Sequence, residues 1–163
     1  MLKNLIVVAV VTLSGCASDT DVSCTVAGGD SQATATIDGS AWASNGGSWS
    51  VMGSAIFISL ESAVDLVVDL RGLYDEAGDS VADLVTDREF PIDVDLGGAD
   101  GNGGVKDFRN EMDTYTSNKP GGSGSMTIAD QDGDTLFACF EFVAINNDGV
   151  MMEVRDGKVM IDR

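Results

Sequence analysis

The sequence contains no histidine, only two prolines and few aromatic residues, 6% in all. Without histidine, the Ser–His–Asp triad, histidine-ligated zinc and the usual proton shuttle are excluded. Neither a Gly-x-Ser-x-Gly elbow nor a phosphate-binding glycine loop is present. We therefore expect the protein not to be an enzyme.

Basic residues are also scarce, since nine Lys and Arg stand against 27 Asp and Glu, for a formal net charge of −18. So acidic a chain disfavours binding to nucleic acid and to anionic lipid headgroups. It is compatible with divalent cations, with basic partners, or simply with a need for solubility.

No apolar run is long enough to span a bilayer, which takes about 20 residues. The nearest is residues 5–13, preceded by a short segment with one positive charge, Lys3. This length and these flanks are typical of a secretory signal peptide. An ordinary signal peptide with a chance cysteine, or a buried strand, is the alternative.

The run Leu13-Ser14-Gly15-Cys16 closes that segment and resembles the lipobox of bacterial lipoproteins at all four positions. The resemblance implies cleavage before Cys16, a diacylglyceryl group on its sulfur and an acylated amine, which together anchor a domain stably. The predicted organisation is a signal peptide at 1–15, a lipidated cysteine and tether at 16–23, and one domain at 24–163. By the same resemblance, Ala17 implies transport to the outer membrane, with the domain facing the periplasm or the cell surface.

Two further cysteines, Cys24 and Cys139, remain if Cys16 carries lipid. An even pair in an oxidising compartment favours a disulfide. Two buried free thiols are the alternative, because the sequence does not supply the geometry of the pair.

Hydrophobic residues alternate with polar ones along most of the chain, at the spacing of strands. Ile56, Ile58 and Leu60 share one predicted face, as do Val64, Leu66, Val68 and Leu70. Turn residues separate the runs, so we predict an all-β fold: an antiparallel β-sandwich or flattened barrel of about eight strands.

Several local expectations accompany this fold. Residues 136–145 are nearly all apolar, which indicates a strand buried on both faces. Residues 97–104 are predicted to be a glycine-rich loop, and 75–85 and 105–112 to carry short helical turns. Asp156-Gly157 indicates a hairpin turn or a bulge.

The order of motifs resembles that of a group of functionally uncharacterised bacterial lipoproteins with a compact β-sandwich, somewhat lipocalin-like domain. The motifs are the opening Thr36-Ile-Asp-Gly-Ser-Ala-Trp42, the late strand Phe137-Ala-Cys-Phe-Glu-Phe142, and Val154-Arg-Asp-Gly-Lys-Val159. The resemblance implies a fold and a lipid anchor, and it brings no activity or site residues.

The candidate metal ligands are Asp130, Asp132 and Asp134, because alternating carboxylates in a glycine-containing loop can present oxygen ligands to Ca²⁺. Glu141 stands at the twelfth position of an EF-hand count, but the glycine is at position four and the following segment is strand-like, so the EF-hand interpretation fails. A hairpin turn is the alternative, and we expect no obligatory cofactor.

Three weaker patterns remain. Trp42, Trp49, Tyr74 and Tyr115 could form a sugar-stacking platform, or pack in the core. Asp93, Asp95, Asp100 and Asn102 could form a loose Ca²⁺ site, or a solvated loop. Glu141 and Glu153 would need to face one cleft to act as a glycosidase pair.

The expected function is a non-enzymatic binding or structural module of the cell envelope, held at the outer membrane through Cys16. A small ligand or an envelope protein is the expected partner. Ca²⁺-dependent adhesion or assembly, and a polysaccharide-acting enzyme, are the alternatives.

Overall fold

The described part of the chain is built from β-strands. The computed structural model describes Cys24 and residues 32–52, 55–62, 66–73, 88–92, 101–109 and 112–163. Within them the chain forms eleven strands and no helix, which confirms the all-β class. The strands are β1 (Ala33–Ile37), β2 (Ser40–Ser44), β3 (Gly46–Met52), β4 (Ala55–Glu61), β5 (Leu66–Leu73), β6 (Arg88–Ile92), β7 (Gly101–Asp107), β8 (Asp113–Thr116), β9 (Ser123–Asp132), β10 (Thr135–Ile145) and β11 (Met151–Asp162).

Three pairs of strands continue one another along the sheet. Asn45 alone separates β2 from β3. β8 and β9 form the second pair, because both lie antiparallel on β10. β6 and β7 form the third pair, because β7 lies on β8 and β6 lies on β9. When each such pair is counted as one line, the eleven described strands form eight lines, in agreement with the prediction of about eight strands.

The sheet is nearly closed into a barrel. Its strand order is β2-β1-β11-β10-β8-β7-β5-β4-β3, and all the pairings are antiparallel. The two ends of this order, β2 and β3, are joined through the chain at Asn45. The buried Ser44 hydroxyl bonds the carbonyls of Gly46 and Glu61 beside this joint. Successive lines are neighbours, and β11 returns to β1, which is an up-and-down barrel consistent with a lipocalin-like domain.

The inner face of the barrel carries the predicted apolar sets. Ile56, Ile58 and Leu60 of β4 are at most 1% exposed, and Leu66, Val68 and Leu70 of β5 at most 4%. The predicted alternation of these two strands is confirmed, except that Val64 lies outside the described residues.

Aromatic rings of β10 occupy part of the barrel interior. The Phe140 ring lies so close to Gly157 that a Cβ atom added there would sit 2.5 Å from it, and the Phe142 ring lies 2.7 Å from the corresponding point at Gly103. Both phenylalanines are at most 3% exposed. Because these rings fill space that glycine leaves, this part of the interior is packed with side chains.

The prediction that β10 is buried on both faces is wrong. Its burial alternates, with Phe137, Cys139 and Val143 only half-buried and Glu141 exposed. A barrel wall has one interior, so the second face of β10 lies outside. Part of the apolar character of that face is explained by Cys24, which is 4% exposed and lies against the outer face through its bond to Cys139.

Residues 101–107 form a strand, β7, where a glycine-rich loop followed by a helical turn was expected. Val105 and Asp107 point inward with Gly103, so the period is two. Gly103 leaves room for the Phe142 ring, and composition alone does not separate this cause from a loop. The helical turn expected at 75–85 lies outside the described residues.

Asp156-Gly157 forms a bulge within β11, the second of the two predicted alternatives. The register shifts there on both sides, against β1 and against β10. Asp156 adopts a φ of +52°, as the residue at a bulge does when the chain gains one position on its partner. The Phe140 ring is thereby accommodated over Gly157.

Candidate functional site

Three turns meet at one end of the barrel, which we call the Tyr115 end. Asn146 Nδ2, in the turn after β10, donates to Asp113 Oδ2 at 2.8 Å, which joins that turn to the start of β8. The turn after β1 lies beside them, since Asp38 N donates to Glu153 O at 2.9 Å and Glu153 N donates to Asp38 Oδ1 at 2.8 Å. Tyr115 and the Asp107–Arg109 pair lie at this same end.

Tyr115 is buried at this end, with 7% of its surface exposed. Burial raises the pKa of its phenol above 10.0, as do its hydrogen bond to Asp113 and the negative charges of Asp113, Asp107 and Asp38. A phenol held neutral beside carboxylates can donate a hydrogen bond, and it is a poor nucleophile or base at neutral pH.

The raised pKa of Tyr115 makes stability dependent on alkaline pH. Because the folded state holds the phenol proton more tightly than the unfolded state, this stabilisation is complete below pH 10 and is lost as pH rises through the folded pKa. Between pH 9 and pH 11, the free energy of unfolding measured in urea should therefore fall more for the wild type than for Tyr115→Phe. Equal losses in the two proteins would contradict the assignment.

Asp107 is held by the next turn of the chain. Its carboxylate is 3% exposed and accepts from Arg109 Nε and Nη2, each at 2.8 Å, and from the Arg109 backbone N at 3.0 Å. The bidentate hydrogen bonds from the guanidinium satisfy this buried carboxylate and fix the turn after β7. The pair thus has a structural role at the Tyr115 end, with Asp107 buried and Arg109 half-exposed.

Large apolar side chains are exposed on two adjacent turns of the same end. Phe108 is 46% exposed, Met112 59%, Val150 52% and Met151 60%. We call these four residues the apolar tip. They were not singled out from the sequence, although the run Val150-Met151-Met152 carried a signal: a strand places only alternate side chains inside, and only Met152 of the three is buried.

The predicted metal residues Asp130, Asp132 and Asp134 lie at or beside the β9–β10 hairpin, away from the Tyr115 end, and all three are exposed. The Asp134 carbonyl accepts a hydrogen bond from Trp49 Nε1 at 2.9 Å. Among the described residues, no group of three or more His, Cys, Asp or Glu side chains is placed to hold a metal ion. Calcium binding at this hairpin stays a prediction.

The proposed sugar-stacking platform is wrong for its described members. Trp42, Trp49 and Tyr115 are 5%, 3% and 7% exposed, so none offers an open face to a sugar. The Arg163 guanidinium lies over the Trp49 ring, 5.1 Å from its centroid. Tyr74 lies outside the described residues.

Of the two remaining acidic patterns, the structure describes Glu141, Glu153 and Asn102. Glu141 and Glu153 both point outward from the barrel wall, and Glu153 forms an ion pair with Arg155. Asn102 Oδ1 accepts from the hydroxyls of Thr116 and Ser117, at 3.2 and 2.9 Å. Its expected acidic partners, Asp93, Asp95 and Asp100, lie outside the described residues.

Cys24 and Cys139 form the predicted disulfide, with their Cα atoms 5.3 Å apart. Cys139 is on the outer face of β10, near the middle of the strand. The bond therefore holds residue 24 against the side wall of the barrel. Cys16 and the rest of 1–23 lie outside the described residues.

Comparison of the chain with protein-family models, curated proteins and solved structures gives no match. In the described ranges, no helix is long and apolar enough to cross a membrane.

Proposed function

We propose that this chain is a lipid-anchored, non-enzymatic binding or structural module of the bacterial cell envelope, attached to the outer membrane through Cys16. The observation that carries the proposal is the Cys24–Cys139 disulfide. It uses two of the three cysteines and leaves Cys16, which ends the lipobox-like run. A disulfide is typical of an exported protein.

The disulfide also bears on the placement of the barrel. The chain from Cys16 to Cys24 can reach at most about 28 Å when fully extended. Because residue 24 is fastened to the side wall, a lipid on Cys16 would keep that wall within this distance of the bilayer. The module would thus work close to the membrane surface.

The chemistry of the described residues supports binding over catalysis. The sequence has no histidine, Asp107 is engaged by Arg109, and the Tyr115 phenol is held neutral. The Phe140 and Phe142 rings pack against glycines and fill part of the barrel interior. These observations favour a partner bound on the outside of the barrel over one held inside.

Membrane fractionation tests the anchor. Expressed with its own N-terminus in a Gram-negative host, the wild type should sediment with the outer membrane and partition into detergent. Cys16→Ser should lose lipid incorporation from labelled palmitate, whereas Cys24→Ser should retain it. Lipid incorporation that survives Cys16→Ser would contradict the proposal.

A further inference from the structure

We propose that the apolar tip at the Tyr115 end docks a basic, apolar segment of a partner protein. The proposal names the partner class of the proposed binding module and rests on that function only in expecting a protein partner. Its failure is distinguishable from failure of the anchor, because the two use different residues and different readouts.

The composition of the tip favours a docking role. Met112, Val150 and Met151 are each more than half exposed, and Phe108 is 46% exposed. Single exposed apolar residues are ordinary, but four large ones on turns that the Asn146–Asp113 hydrogen bond joins are a sign of an interaction surface. The flexible and polarisable methionine side chain adapts to apolar partners of varied shape, and for this reason it is over-used at binding surfaces.

The backbone at Met112 is an independent observation. Met112 has a φ of +61°, in the left-handed region that favours glycine or asparagine. A bulky side chain at such a position adds backbone strain to the fold. Because Met112 is 59% exposed, burial of its side chain offsets little of that strain. Backbone strain of this kind motivates a functional hypothesis.

Charge selects the class of partner. Asp113 lies between the two turns of the tip, Asp148 is exposed in the turn that precedes Val150, and Asp38 is exposed beside Glu153. The ion pairs among the described residues leave these three aspartates without a cationic partner. Two cations at this end, Arg109 and Lys119, are bonded to Asp107 and to Asn147 and leave the three aspartates uncompensated. With a net charge of −18 for the whole chain, the surface attracts lysine and arginine and repels anionic lipid.

The protection of methionines from oxidation tests the proposal on the full-length protein in nonionic detergent, whether or not it carries lipid. Met112 and Met151 are the reporters, and Met52, 71% exposed as the last residue of β3 at the opposite end, is the internal control. A synthetic amphipathic peptide of leucine and lysine should slow sulfoxide formation at both reporters by roughly tenfold, because burial removes access to peroxide. Met52 should oxidise at an unchanged rate.

Two matched peptides test the chemistry of the partner. A leucine–glutamate peptide and a serine–lysine peptide should each give little protection, since one lacks the charge and the other the apolar face. Equal protection by either of them, or protection of Met52 to the same extent, would overturn the proposal.

The other possible occupants give different results. Protection in phosphatidylcholine nanodiscs without any peptide would assign the tip to the bilayer. Protection that grows with protein concentration would assign it to a second copy of the chain. Either outcome would overturn the proposal of a basic partner.

A variant separates binding from folding. Met112→Asn together with Met151→Thr should weaken binding of the leucine–lysine peptide by at least about tenfold, through loss of two apolar contacts. Its melting temperature should not fall, because asparagine suits the left-handed backbone. Met52→Ser should bind like the wild type, and equal affinity of all three proteins would contradict the assignment.

Discussion

Replacing both Cys24 and Cys139 with serine should lower the free energy of unfolding by about 4–5 kcal/mol. The bond closes a loop of 115 residues, and the chain-entropy model assigns a larger effect to longer loops because the cross-link restricts the unfolded chain more. A loss of this size is a large part of the stability of an ordinary domain. Urea unfolding monitored by tryptophan fluorescence measures it.

Cys16→Ser is the matched control for this experiment. It removes the third cysteine without touching the bond, so the urea midpoint should equal that of the wild type. A drop in the control would indicate that Cys16 itself takes part in a stabilising disulfide. A loss below about 1 kcal/mol in the double variant would contradict the view that the bond staples the barrel wall.

The second large effect is expected at Gly103, inside the barrel. In Gly103→Ala the new Cβ would lie 2.7–2.9 Å from three atoms of the Phe142 ring. Since the ring is 2% exposed and enclosed by the core, it has little room to shift. Overpacking of this kind costs roughly 1–3 kcal/mol, and we expect the upper part of that range.

Gly46→Ala provides a control for the change in backbone entropy. It lies in β3 at the joint of the barrel, where an added Cβ meets nothing within 4 Å. Its stability should change by well under 1 kcal/mol. Combining Gly103→Ala with Phe142→Leu should recover part of the loss, as expected for two residues in direct contact. A double variant with purely additive losses would show that the ring is not the obstacle.

The parts of the fold that sequence predicted are those governed by a regular period. Every second residue is buried from Ile56 to Leu60 in β4 and from Leu66 to Leu70 in β5, so the period of two predicted these inner faces correctly. β10 and β7 were misread because one has an apolar outer face and the other begins with glycines. In both strands the cause is a distant contact, Cys24 on β10 and Phe142 on Gly103, which no local pattern records.

The candidate site was less predictable than the fold. The metal and stacking hypotheses selected residues by their type. The composition of the Tyr115 end depends instead on which turns the fold brings to one end of the barrel. The contact between Asp113 and Asn146 joins positions that are far apart in sequence. The exposure of Met112 and Met151 likewise depends on which residues of each strand and turn point into the barrel.

The anchor at Cys16 is tested most directly by the mass of the N-terminal peptide from protein extracted from the outer membrane. We predict a peptide that begins at Cys16 and carries a diacylglyceryl group on sulfur and an acyl group on nitrogen. A peptide that retains residues 1–15, or one that begins elsewhere with an unmodified Cys16 thiol, would contradict the account.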